Sequence, residues 1–287
     1  VRISGSVSLG LVTLGMLSLV ALSSAPRSQS GFGWAFSVGI VTLVGIALYL
    51  LAFFFVRERP GTSDAPPLSF RQLFGTLFRN RPLMMVLLGS IIGFGRLIVQ
   101  AGGTTFAAVA YGEKNAAGNF TLIGAAILIG VIAGSAFTPL LLRRTTSKAL
   151  VFWSSILGAV VNLAMFLVGF QSLYVFMGFI FLSGLTLGVF QVVQPTLIAD
   201  AVDDVEKRTG IRNDGISFST LTFVSKLMTA VALLVITEII GVSGYHSHVH
   251  VTGGMQETIW IGIALVPAIS SLLSAVPFWF YRLGDAK

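Results

Sequence analysis

The chain has no cysteine, which excludes disulfides, thiolate metal sites and a thiol nucleophile. Charge is nearly as scarce: Asp, Glu, Lys and Arg together make up 10% of the residues, against about 25% in soluble domains. Long apolar runs fill the space, with 55% hydrophobic residues and a mean hydropathy of +0.91. That composition belongs to an integral membrane protein. No phosphate-cradling glycine loop, catalytic triad or metalloenzyme pattern occurs, so neither ATP-driven nor enzymatic chemistry has support in the sequence. The formal charge of +7 does not point to nucleic acid, because the basic residues are scattered through short segments flanking the apolar runs, as at the ends of membrane helices.

Eight segments are long enough to cross a hydrocarbon core of about 30 Å as helices: 5–24, 33–56, 82–111, 119–142, 147–170, 172–199, 216–243 and 257–281. An even number puts both termini on one side. With them fall Arg2, Arg57, Arg59, Arg71, Arg79, Arg81, Arg143, Arg144, Lys148, Lys207, Arg208, Arg212, Arg282 and Lys287, while the other side holds Arg27 and Lys114. This asymmetry predicts cytoplasmic termini in the cell (inner) membrane.

The one long break, 57–81, opens with a polar Pro/Gly-rich stretch. It ends in an amphipathic run with Phe70, Leu73, Phe74, Leu77 and Phe78 on one face, which suits a helix lying in the membrane interface. Six consecutive spans follow, the arrangement of one half of a major facilitator transporter. The expected fold is therefore all-α and integral to the membrane, with eight spans of an expected twelve. Residues 1–56 would supply the last two helices of the N-terminal half, 57–81 the cytoplasmic linker and 82–287 the C-terminal six-helix half. Glycine pairs at four-residue spacing, Gly89 with Gly93, Gly130 with Gly134 and Gly184 with Gly188, fit close helix packing.

Lys226 lies about ten residues into the apolar stretch from Ile216, roughly 15 Å below the membrane surface. A lone cation at that depth costs at least about 2.5–3.5 kcal/mol on insertion scales, so it normally faces a polar cavity and a partner. Ser219, Thr222, Lys226 and Thr229 share one helical face, and with the lysine in the row a polar cavity is preferred over hydroxyls that merely bond back to their own helix. No acid of the chain falls at the depth of Lys226. This predicts a chain truncated at its start.

The most specific stretch precedes that helix. Ala199-Asp200 is followed by Asp203, Asp204 and Glu206, then by Thr209-Gly210-Ile211-Arg212, Asp214 and finally Lys226. By composition alone this is a solvated charged loop, whose exposed pairs are worth about 0–1 kcal/mol each. Its pattern resembles the glycoside–pentoside–hexuronide:cation symporter family, of the melibiose permease type. The likeness extends from Phe78-Arg79-Asn80-Arg81-Pro82 to Phe280-Tyr281-Arg282-Leu283. It implies that Lys226 lies beside the cation and sugar sites and that Thr222 faces the sugar. It further implies cation-binding aspartates in the family's second and fourth helices, and sets Arg2 against a sugar-site arginine at the start of the fifth.

Gln191 and Gln194, followed by Pro195, can exchange hydrogen bonds with sugar hydroxyls or with a neighbouring helix. Gln191 replaces a tryptophan that the resemblance places near the sugar, which bears on the sugar carried. Arg96, deep in the 82–111 span, suits either a substrate carboxylate or structural pairing. Asp200, Asp203, Glu206, Arg212, Arg143 and Arg144 are expected to gate the cytoplasmic side. Glu238 reads as an interfacial residue, and His246, His248 and His250 as an ordinary loop rather than a metal site. The expectation is a monomeric secondary transporter, with a sugar or glycoside and a sodium ion or proton as its partners, the lipid bilayer around it, and no further cofactor. The competing expectation is a non-transporting eight-helix membrane scaffold or partner subunit.

Overall fold

The computed structural model describes residues 31–55, 75, 78, 80–112, 116–209, 214–246 and 249–283. The chain divides into two compact units, Ser4–Ser69 and the residues from Phe70 onward together with Val1–Ile3. In the first unit the described part is one apolar helix, α1 (Gly31–Phe55). The expected span 5–24 and most of the 57–81 linker lie outside the described residues; Gly75 and Phe78 within the linker are helical.

The second unit is built from helices. Arg81–Tyr111 forms one span in three pieces: α2 (Arg81–Ile92), a 3₁₀ turn (Gly93–Leu97) and α3 (Ile98–Tyr111). Then come α4 (Ala116–Leu142), α5 (Ser147–Val168), the long α6 (Leu173–Thr209) and α7 (Asp214–Ser243). The last span joins α8 (Gly253–Trp260), a π-helical turn (Ile261–Leu265) and α9 (Val266–Phe280). With α1, seven spans among the described residues are long and apolar enough to cross a membrane, and they match the sequence-derived segments from 33–56 to 257–281. The all-helical membrane fold expected from the sequence is what forms.

Local sequence sets the helix ends. The side chain of Asn80 accepts from the amide of Leu83 at 3.1 Å, with Pro82 in the first turn. Thr146 caps α5 and Thr252 caps α8 in the same way. Gly112 (φ 92°) ends α3 and Gly169 (φ 86°) ends α5, in backbone conformations that L side chains rarely adopt.

The tightest seam runs between α4 and α6. A Cβ added to Gly130 or Gly134 would strike the carbonyls of Phe181 and Leu185, and one on Gly184 or Gly188 those of Ile127 and Val131. The two glycine pairs therefore face each other and let two backbones touch. Gly89 differs: it receives the ring of Phe278.

The apolar interior falls into two clusters. One joins Ile98, Phe106, Ile123, Phe176, Ile236 and Trp260; within it Phe106 stacks on Trp260 at 5.5 Å and lies 5.1 Å from Phe176. The other joins Leu83, Val86, Val193, Leu197, Val224 and Phe278. On α5, Trp153, Leu157, Val160, Leu163 and Leu167 are exposed at helical spacing, an outward stripe fit for lipid.

Candidate functional site

One face of α7 packs into the unit through Ser217, Leu221, Val224, Met228, Ala232 and Ile236. The opposite face carries Ser219, Thr222, Lys226 and Thr229, all exposed. The hydroxyls of Ser219, Thr222 and Thr229 donate to the carbonyls of Ile216, Phe218 and Ser225 at 2.9–3.0 Å. All three hydroxyls thus bond back to their own helix, the arrangement less favoured from the sequence, and each oxygen can still accept. Lys226 makes no hydrogen bond or ion pair among the described residues. Among the described residues the stripe is thus an exposed polar row on a membrane span, centred on an ammonium with no ion pair.

Gln194 is buried, and its amide nitrogen donates to the hydroxyl of Ser90 on α2, which itself donates to the carbonyl of Val86 at 2.6 Å. Of the two roles open to this amide, the structure realises the interhelical one. Gln191, one turn earlier on α6, is half-buried.

Arg96 sits in the 3₁₀ turn and reaches into the packing among α5, α6 and α9. Its Nη2 donates to Ser155 at 2.9 Å and to Ser274 at 2.6 Å, and its guanidinium carbon lies 4.3 Å from the centre of the Phe190 ring. Nη1 fills the space beside Gly93 and meets no hydrogen-bond partner among the described residues. The turn's own backbone is served by Ser270, whose hydroxyl accepts from the amide of Gly95 at 2.9 Å and donates to the carbonyl of Ile92 at 2.7 Å. Arg96 and Ser270 therefore stitch the break in the Arg81–Tyr111 span to α9.

The acidic segment continues α6 beyond its apolar part. Asp200, Asp203 and Glu206 are half-buried, and Asp204 pairs with Arg208 one turn on, at 2.6 Å. The hydroxyl of Tyr281 donates to the carbonyl of Leu197 at 2.9 Å, and the side-chain nitrogen of Asn80 to that of Ala201 at 3.2 Å.

Arg143 and Arg144 are exposed at the α4–α5 turn. Glu238 is exposed on α7, and His246 and His250 are exposed in the following loop. Among the described residues no three His, Cys, Asp or Glu side chains gather as metal ligands. Arg2, Arg212 and His248 lie outside the described residues. The structure brings together Gln194 with Ser90 and Arg96 with Ser155, Ser274 and Phe190; it joins neither group to Lys226. Sequence reasoning passed over the serine partners, because a single Ser in a membrane helix carries no pattern of its own.

Seven apolar spans among the described residues define a multi-pass membrane protein. Over residues 2–285 the chain matches the family described as MFS/sugar transport protein, and it belongs to that family. It is 29% identical over 283 residues to the glucuronide carrier protein homolog of Escherichia coli (strain K12), covering 98% of this chain and 61% of that protein. It is 28% identical over 270 residues to the inner membrane symporter YicJ of the same strain, covering 93% and 57%. To that strain's putative glycoside/cation symporter YagG it is 23% identical over 289 residues, covering 99% and 60%. The chain thus spans about three fifths of the length of these relatives.

Proposed function

We propose that the protein is a secondary transporter that moves a sugar or glycoside together with a sodium ion or proton by alternating access. The observation that carries this is the exposed row Ser219, Thr222, Lys226 and Thr229 on α7. An ammonium in a membrane span is tolerated where it faces water or a counter-charge; for a polyol it supplies the donors, and the hydroxyls beside it, whose protons go to their own helix, supply acceptors. Family membership and the names of the relatives, a glucuronide carrier homolog and a glycoside/cation symporter, support the same substrate class.

In this reading residues 82–287 are the C-terminal six-helix half, 57–81 the cytoplasmic linker, and 1–56 the end of the N-terminal half. Lys226, Thr222 and Gln191 meet the sugar, while Gln194 holds the path wall through Ser90. Arg2 would join the sugar site. The residues Asp200, Asp203, Glu206, Arg212, Arg143 and Arg144 lie on the cytoplasmic side that the basic-residue asymmetry selects, in the inner membrane, and work as the gate. The transporter acts as a monomer.

The test is uptake of labelled glycosides and glucuronides by cells expressing the full-length gene product, with and without an imposed sodium or proton gradient. Gradient-dependent accumulation of at least one sugar is expected. Inertness toward every sugar under every gradient, from protein properly inserted in the membrane, would favour a membrane scaffold or partner subunit instead.

A further inference from the structure

The first and last described helices of the second unit converge on a single short stretch of α6. Asn80, at the start of α2, bonds the carbonyl of Ala201, and Tyr281, just past α9, bonds the carbonyl of Leu197. These two carbonyls lie one helical turn apart on one face. Both donors are buried, Asn80 at 6% exposure and Tyr281 at 3%. Leu197, Ile198, Ala201 and Val202 beneath them are closed off as well, whereas Lys207 and Arg208 are exposed. The grip therefore ends where the acidic segment leaves the bundle.

Within a helix each carbonyl already receives an amide four residues on, so the two side-chain bonds are not needed to satisfy the backbone. What they determine is where α6 is held. Asn80 has two duties, since its oxygen caps α2 while its nitrogen reaches Ala201. The carbonyl that Tyr281 holds belongs to Leu197, less than one turn before Asp200, and the one Asn80 holds belongs to Ala201, the residue next to it. Movement of the α6 extension would thus break two hydrogen bonds and change the surroundings of Asp200 together.

We propose that Asn80 and Tyr281 are positioning residues: they form a latch that fixes the α6 extension, and with it Asp200, Asp203 and Glu206, at the mouth of the transport path. The latch deepens the transport reading and rests on it for its role in turnover. Release of both bonds accompanies the opening of that end, and their re-formation its closing.

The test uses Tyr281→Phe, which removes only the hydroxyl, and Asn80→Ser, which keeps a cap for α2 but shortens the reach to Ala201. Residues 1–287 have no cysteine, so once any cysteine elsewhere in the full-length protein is replaced by serine, a single Ala201→Cys reports alone. Its alkylation by a membrane-impermeant maleimide is followed in vesicles of both orientations. Each latch variant is expected to speed labelling from one membrane face about fivefold, the equilibrium factor of one ordinary hydrogen bond. In uptake, maximal rate should fall by about the same factor with KM unchanged, and Tyr281→Phe should add nothing in an Asp200→Asn background if it acts through that carboxylate. Unchanged labelling in both variants would overturn the latch. So would a raised KM at unchanged maximal rate, or full additivity of Tyr281→Phe with Asp200→Asn. Labelling needs no known substrate, so faster labelling in a protein that takes up no sugar would uphold the latch's grip while refuting the transport reading.

Discussion

The guanidinium of Arg96 lies 4.3 Å over the ring of Phe190, while its Nη2 bridges Ser155 and Ser274. A cation in a membrane span is thereby held by a π face and two hydroxyls, with no carboxylate among those contacts. Desolvated cation–π contacts are worth about 2 kcal/mol, and the planar guanidinium that lies over the Phe190 ring while its Nη2 reaches two serines is not matched by the compact, strongly hydrated ammonium of lysine.

Arg96→Met and Arg96→Lys should both lower the melting temperature of the purified protein in detergent, and Phe190→Leu should do so to a lesser degree. Sugar affinity in whatever folded protein remains should be unchanged. A stable Arg96→Met protein with lost affinity would instead make Arg96 a substrate ligand.

The α4–α6 seam should be intolerant of even one methyl. Gly134→Ala or Gly188→Ala forces a Cβ into a facing carbonyl, an overpacking that costs typically about 1–3 kcal/mol. Gly178→Ala is the control, since nothing lies within 4 Å of its added Cβ. Thermal melting of the three variants should separate the first two from the third; equal stability in all three would mean that the helices separate at no cost.

Ser90→Ala should destabilise more than its size suggests, because it removes the partner of the buried Gln194 amide. Interhelical bonds in membranes average about 0.6 kcal/mol, and a buried donor left unpaired adds to that. The double variant Ser90→Ala with Gln194→Leu should therefore be no less stable than Ser90→Ala alone. A double variant that loses the sum of both single effects would show that the pair does not interact.

The sequence made the spans legible because membrane helices must be long, apolar and internally hydrogen-bonded, and those from 33–56 onward appear where hydropathy placed them. It also showed the α7 stripe, since a lysine with Ser and Thr at spacings of three and four has one geometric reading. The irregular turns were not legible. Gly93-Phe94-Gly95 carries no break signal stronger than its glycines, and the serines of α9 that serve the turn are distant in sequence. Two roles stayed open for Arg96 and for Gln194 because partners in a helical bundle are set by packing, which a single sequence does not encode locally. Asn80 and Tyr281 lie in stretches that carry the family likeness, yet their common target on α6 emerges only in three dimensions.

The most direct measurement of the account is gradient-driven accumulation by the Lys226→Leu variant of the full-length protein, set against wild type at equal membrane abundance. Lys226 is exposed on a polar row and unpaired among the described residues, so leucine should insert at least as readily. The account predicts normal insertion with accumulation abolished, because the charge that links cation and sugar is gone. Wild-type accumulation by Lys226→Leu would contradict it.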